Sequence, residues 1–213
     1  MSFKRNQIEE AFARIVVPDC DQFPSELRTR IKRLLELDRS IGRKPRSKDA
    51  EEAAFAFFSE EAPGTGGVVA FSEYEAFALL NALRIMEHRW PQGFAVSIMR
   101  RVRLDLEREH ARILRQRRDK LFDQEAIRAA ARGGDIGVDN ADPVFIVLAS
   151  KAQWAPDEGQ TAPLSAVCHG LAKVFEFSRG VGASSVTMLE VVTLAHRLHQ
   201  ALMKTEPRRR GRG

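Results

Sequence analysis

A chain of 213 residues with 44% apolar and 30% charged side chains can build both a core and a wetted surface, which excludes wholesale disorder. Its net charge of +5 favours an anionic partner, while two cysteines 148 positions apart, Cys20 and Cys168, exclude a disulfide framework and a cysteine zinc site. No run approaches the roughly 18 apolar residues of a membrane span, and MSFKRNQIEEAF lacks a signal-like apolar core, so a cytoplasmic protein with free thiols is expected.

Ile8, Ala11, Phe12 and Ile15 recur at helical spacing and predict a first helix over 3–15, ended by Pro18 and the two aspartates that follow it. Pro24 and Ser25 open a second helix that stops near Gly42, with Leu27, Ile31, Leu34 and Leu35 on one side. At 100° per residue, Ser25, Thr29, Lys32 and Arg33 fall opposite that stripe and Arg28 at its edge. Residues 53–58 (AAFAFF) and 68–71 (VVAF), joined by turn formers, predict a β-hairpin, although EEAAFA also has high helix propensity. Ser72 is a good N-cap for a third helix with an acidic first turn, and Pro91 ends it or opens the next. The fourth helix carries Phe94, Ile98, Val102, Leu106 and Ile113 on one side and is expected to run to about Gln116. Residues 131–143, rich in glycine and aspartate, are expected to be a linker. Beyond it, 144–150 (VFIVLAS) reads as a buried strand, 154–163 as a loop, 165–178 as helix or strand, and SVTMLEVVTLAHRLHQALMKT as a last helix. The closing EPRRRGRG, 206–213, is expected to be a disordered basic tail.

Charge is segregated. Glu26–Lys48 holds nine Lys/Arg against three acidic residues, Asp49–Leu79 seven acidic and no basic, and Arg100–Lys120 nine basic against four acidic. Such blocks are expected when one face meets phosphate and another meets water or protein. A helix pair followed by a hairpin wing can place one helix in the DNA major groove and the wing on the flanking backbone. The 25–39 helix, apolar beneath and basic or hydroxylated above, has the required character.

The stretch GGVVAFSEYEAFALLNALRIMEHRWPQGFAVSIMRRV, with Phe71-Ser72, Glu75, Leu83, Arg84 and Trp90, resembles the DNA-binding domain of MerR-type regulators over about residues 5–103, most closely over 66–100. It departs from that pattern at Arg89 and Pro91 and in lacking the Arg-Tyr-Tyr end of the recognition helix. The resemblance implies that Ser25, Arg28, Thr29, Lys32 and Arg33 contact double-stranded DNA. Arg39, Arg43, Lys44, Arg46 and Lys48 would then follow the phosphates near the wing. The alternatives are that the basic helix face is simply solvated, or that it docks an acidic protein partner. The Arg100–Lys120 run reads as a solvated helix face.

Other chemistry has little support. His196 and His199 share a face but lack a second ligand cluster, and adjacent residues such as Cys168 and His169 do not usually face each other. The glycines of PGTGG lack a phosphate-loop Lys-Ser/Thr, and no nucleophile elbow or His-Glu-x-x-His pair occurs. The expectation is therefore a non-enzymatic, mainly α (α+β) protein with no cofactor or metal. It has a winged helix-turn-helix domain over 1–130, a linker over 131–143, and a small α/β segment over 144–205 for dimerisation or sensing. The whole would be a homodimeric transcriptional regulator, paired as DNA half-sites require.

Overall fold

The structure, a computed structural model, describes residues 1–17, 23–59, 70–131, 138–151 and 163–206. The architecture is mixed helix and sheet, with small antiparallel sheets. The chain forms two compact units, Met1–Arg100 with Arg197–Gly213, and Arg101–His196.

In the first unit, β1 (Ser2–Lys4) pairs antiparallel with β2 (Ala70–Ser72), setting Phe3 opposite Phe71, both buried. Between them run α1 (Arg5–Val16), α2 (Ser25–Ile41) and the single turn α3 (Ala50–Ala53). α1 buries Ile8, Ala11 and Phe12 at three- and four-residue spacing, as its sequence predicts, but it starts at Arg5 because residues 2–4 join the ribbon. Then come α4 (Glu73–Glu87) and α5 (Gln92–Arg101). Ser72 caps α4 reciprocally. The Glu75 amide donates to Ser72 Oγ at 3.1 Å, and the Ser72 amide donates to the Glu75 carboxylate at 2.6 Å. α4 is buried on nearly every side from Tyr74 to Leu83, so it is the post around which the unit packs.

The expected 53–58/68–71 hairpin is not formed. Residues 50–53 are helical and 54–59 irregular, while the strand at 70–72 takes its partner from the N-terminus. The reason lies in α2. The Asp38 carboxylate accepts the amides of Ala56 at 3.0 Å and Phe57 at 2.9 Å, donors that a strand ladder would have needed. Phe55, Phe57 and Phe58 all go into the core, which strict alternation on a two-faced strand forbids. The turn between the expected strands lies outside the described residues.

The second unit contains α6 (Arg103–Arg115), α7 (Arg118–Leu121) and α8 (Gln124–Ala131). These are followed by β3 (Val144–Ser150), β4 (Leu164–His169), α9 (Gly170–Gly180) and β5 (Ser185–Glu190), and by α10 (Val192–Met203), whose residues up to His196 belong to this unit and the rest to the first. The fourth predicted helix is thus two, parted at Val102. The sheet order is β4-β3-β5, antiparallel throughout, with β3 buried from Val144 to Ala149. Phe145 and Val147 pack with Cys168, Leu171 and Val174 into one side of its core.

The ambiguous 165–178 segment is strand to His169 and helix from Gly170, whose φ of +74° makes the corner in a region that favours glycine. The expected last helix is also divided: Ser185–Glu190 is a strand and the helix begins at Val192. Glu190 makes the break, its carboxylate accepting the amides of Val192 at 2.5 Å and Thr193 at 3.2 Å. Nor do residues 138–143 behave as a linker. The Ala141 amide donates to the Leu121 carbonyl, and buried Asn140 donates to Glu190. The two compact units meet along the chain at Arg100–Arg101 and again at His196–Arg197.

Candidate nucleic-acid interface

α2 rests on Ile31, Leu34, Leu35 and Asp38, all buried, and ends at Gly42, where φ is +71°. Burying that stripe turns the rest of the helix outward. Ser25, Arg28, Thr29, Arg30, Lys32 and Arg33 are exposed, and so are Lys44, Arg46 and Lys48 in the loop that follows. Arg30 was not anticipated as part of this face; it lies on the flank away from Arg28.

These cations differ in what already holds them. Arg28 donates to Glu9 of α1 at 3.1 Å and lies over the Phe23 ring, Lys32 is 3.6 Å from Glu36, and Lys44 meets Glu52 at 2.8 Å. Hydrogen bonding to Glu52 raises the Lys44 pKa, and the same bond lowers that of Glu52. Thr29 donates back to the Ser25 carbonyl at 3.0 Å. Arg39 and Arg43 are half-buried, their guanidinium groups over the rings of Phe58 at 5.8 Å and Phe55 at 5.6 Å. Arg30, Arg33, Arg46 and Lys48 have no ion pair among the described residues. The face therefore combines four uncommitted cations with three that must exchange a carboxylate for any incoming anion.

A buried ion pair fixes this geometry. Arg100 of α5, 1% exposed, donates through Nε to Asp38 at 2.7 Å, where Asp38 is fully buried. The same guanidinium donates to three backbone carbonyls, of Asp38 at 2.6 Å, Gly42 at 2.8 Å and Glu51 at 3.3 Å. One side chain thus ties the end of α2 to both ends of the basic loop, and every Nε or terminal nitrogen position has a partner. Arg100 and Arg103, at 1% and 6% exposure, are not on the solvated face read from the Arg100–Lys120 run. A charged residue inside an apolar stripe was the available signal. Asp38 follows Ile31, Leu34 and Leu35, and Arg100 follows Ile98 and Met99.

The second unit holds a different polar group. Asp142 accepts from Arg112 at 2.7 Å and Gln116 at 2.5 Å and pairs with His169 Nε2. Burial alone would raise the Asp142 carboxyl; the hydrogen bonds from Arg112, His169 and Gln116 outweigh it and hold the pKa at about 2. Burial pushes the adjacent Cys168 thiol up, against the reactivity of a catalytic thiolate. A cavity of about 540 Å³ at the end of α9 is lined by Phe175, Ser178, Arg179, Gly182 and Ala183. Its Ser178 hydroxyl is spent on the Val174 carbonyl at 2.7 Å. His196 sits edge-on to Phe122, and His199 meets Glu73 at 2.8 Å, so the two histidines serve different contacts. Among the described residues no group of three or more His, Cys, Asp or Glu is placed to hold a metal, and none of the helices is long and apolar enough to cross a membrane.

No family model matches the chain, and neither a curated protein nor a solved structure does.

Proposed function

We propose that the first unit binds duplex DNA non-enzymatically, with α2 lying in or across the major groove and the loop 43–48 on the adjoining phosphates. The observation that carries this reading is the outward array of Arg33, Arg46 and Lys48, with Arg30 beside it, on a helix whose opposite side is locked into the core. Four cations without carboxylate partners among the described residues can neutralise phosphates with no such ion pair to break. Arg28, Lys32 and Lys44 can follow by exchanging Glu9, Glu36 and Glu52. Arg39 and Arg43 lie over phenylalanine rings, so their part is to brace the loop more than to meet DNA.

The DNA-binding module is a modified winged helix-turn-helix. α1 and α2 supply the helix pair, tied by Glu9 to Arg28, and their eight-residue connection is longer than the usual three or four. The expected paired wing strands are replaced by the β1–β2 ribbon. Occupancy of promoter-like duplex, and hence transcriptional regulation, is the role that suits such a module.

Fluorescence anisotropy on a duplex of about 25 base pairs tests the proposal. Affinity should fall with salt at a log–log slope of about −3 to −6, roughly 0.9 for each phosphate neutralised. Reversal of Arg33, Arg46 and Lys48 to Glu should weaken binding at least ten-fold without moving the melting temperature, because none of the three side chains is in an ion pair among the described residues. Tight binding to an acidic protein with no measurable duplex binding would favour the docking-subunit alternative.

A further inference from the structure

We propose that two copies of this chain pair through the free edge of β5, in an antiparallel ladder whose two-fold axis passes at Thr187. β5 is an edge strand: its partner is β3, and no strand lies beyond it among the described residues. The register fixes which backbone groups are used. The Val191 amide donates to the Val144 carbonyl at 3.0 Å, so Leu189, Thr187 and Ser185 also face β3. The N–H and C=O groups of Val186 and Met188 then point away from the sheet.

Exposed edges are commonly blunted by charge, proline or a bulge. Ser185–Leu189 carries no charge and no proline, and Val186 is 40% exposed. The other edge differs. β4 follows Pro163, whose carbonyl is taken by Arg101, and ends at the His169–Asp142 pair. β5 is thus an edge along which neither charge nor proline opposes strand addition.

The sequence of β5 favours a second copy as the occupant. With Thr187 opposite Thr187 across the axis, Val186 of each copy faces Met188 of the other, and Ser185 faces Leu189. Thr–Thr and apolar cross-strand pairs are favourable. Both copies of Glu190 fall outside this five-residue ladder, so no like charges meet. An acidic or basic peptide would find no charge to pair along Ser185–Leu189. Such a ladder adds about four hydrogen bonds over a small area, which places association in the weak, micromolar class. The proposal stands independently of DNA binding.

Sedimentation equilibrium of the full chain over roughly 1–200 μM, a range chosen for weak interfaces, should show the mass rising from 24.0 kDa toward twice that value. Val186→Pro removes an outward-facing N–H that the sheet does not use and should raise the dimerisation midpoint at least ten-fold. Thr187→Cys in a Cys20→Ser background should cross-link on mild oxidation, because residues facing each other across the axis come within disulfide reach. This second readout decides the matter even if the proline variant fails to fold. A mass of 24.0 kDa at every concentration overturns the proposal, as does a dimer that Thr187→Cys does not cross-link.

Discussion

Asp38→Asn tests most severely what holds the basic face in place. The substitution keeps the side chain's shape but removes the charge that balances Arg100 in a site where both residues are at most 1% exposed. Breaking one partner of a buried pair costs about 3–5 kcal/mol, because the remaining charge stays buried and uncompensated. The Asn oxygen can still take one of the amides of Ala56 and Phe57, but its NH2 group cannot accept the other. An unsatisfied buried donor adds about 1–3 kcal/mol. The loss should therefore be at least about 4 kcal/mol, a large part of the roughly 5–15 kcal/mol that keeps a domain folded. Urea unfolding followed by far-ultraviolet circular dichroism measures it. Asp38→Leu with Arg100→Met should recover part of the loss, since an apolar pair leaves no stranded charge. A single-variant loss below about 1 kcal/mol would refute the argument, because no buried, doubly hydrogen-bonded carboxylate with a charged partner can be removed so cheaply.

Two further predictions concern other parts of the chain. The Asp142 carboxyl is depressed to about 2, so its share of stability is complete above its ordinary value near 4 and is lost as pH falls from about 4 through about 2. Asp142→Asn should lower the urea midpoint at neutral pH and flatten that acid limb; an unchanged limb would show that the Arg112, Gln116 and His169 contacts do not hold the carboxylate. In the DNA reading, deletion of residues 207–213, which include Arg208, Arg209, Arg210 and Arg212, should reduce the salt slope of duplex binding by up to about 3.6, at about 0.9 per phosphate released. An unchanged slope assigns those arginines no part in the complex.

Much of the helical framework was legible because long amphipathic patterns and caps are local. The Ser72 cap with Glu75, the apolar stripe of α2, and β3 as a continuous apolar run all depend on residues within a few positions of each other. Pairings across distance were not legible. Three-residue strands such as β1 and β2 are too short to display a period, and nothing near Ala56 or Phe57 announces that Asp38 will take their amides. β5 was read as helix because Met188, Val191 and Val192 fit a helical stripe, whereas β3 alongside and the Glu190 cap make Ser185–Glu190 extended. The outward direction of Arg28, Lys32 and Arg33 was legible from the helical wheel, but their ranking was not. Glu9 and Glu36 commit the first two, while Arg33, Arg46 and Lys48 have no ion pair among the described residues; for Arg28 that distinction is set by a tertiary neighbour.

If the first unit holds duplex DNA as proposed, the cations of α2 and its following loop receive the phosphates. Anisotropy titrations of the parent chain and of the Arg33→Glu, Arg46→Glu, Lys48→Glu triple variant, each at several salt concentrations, address it directly. The parent should show a steep salt slope and the variant a slope shallower by about 2.7, about 0.9 for each of three contacts, with both proteins melting at the same temperature. Equal affinity and equal slope in the two proteins would contradict it.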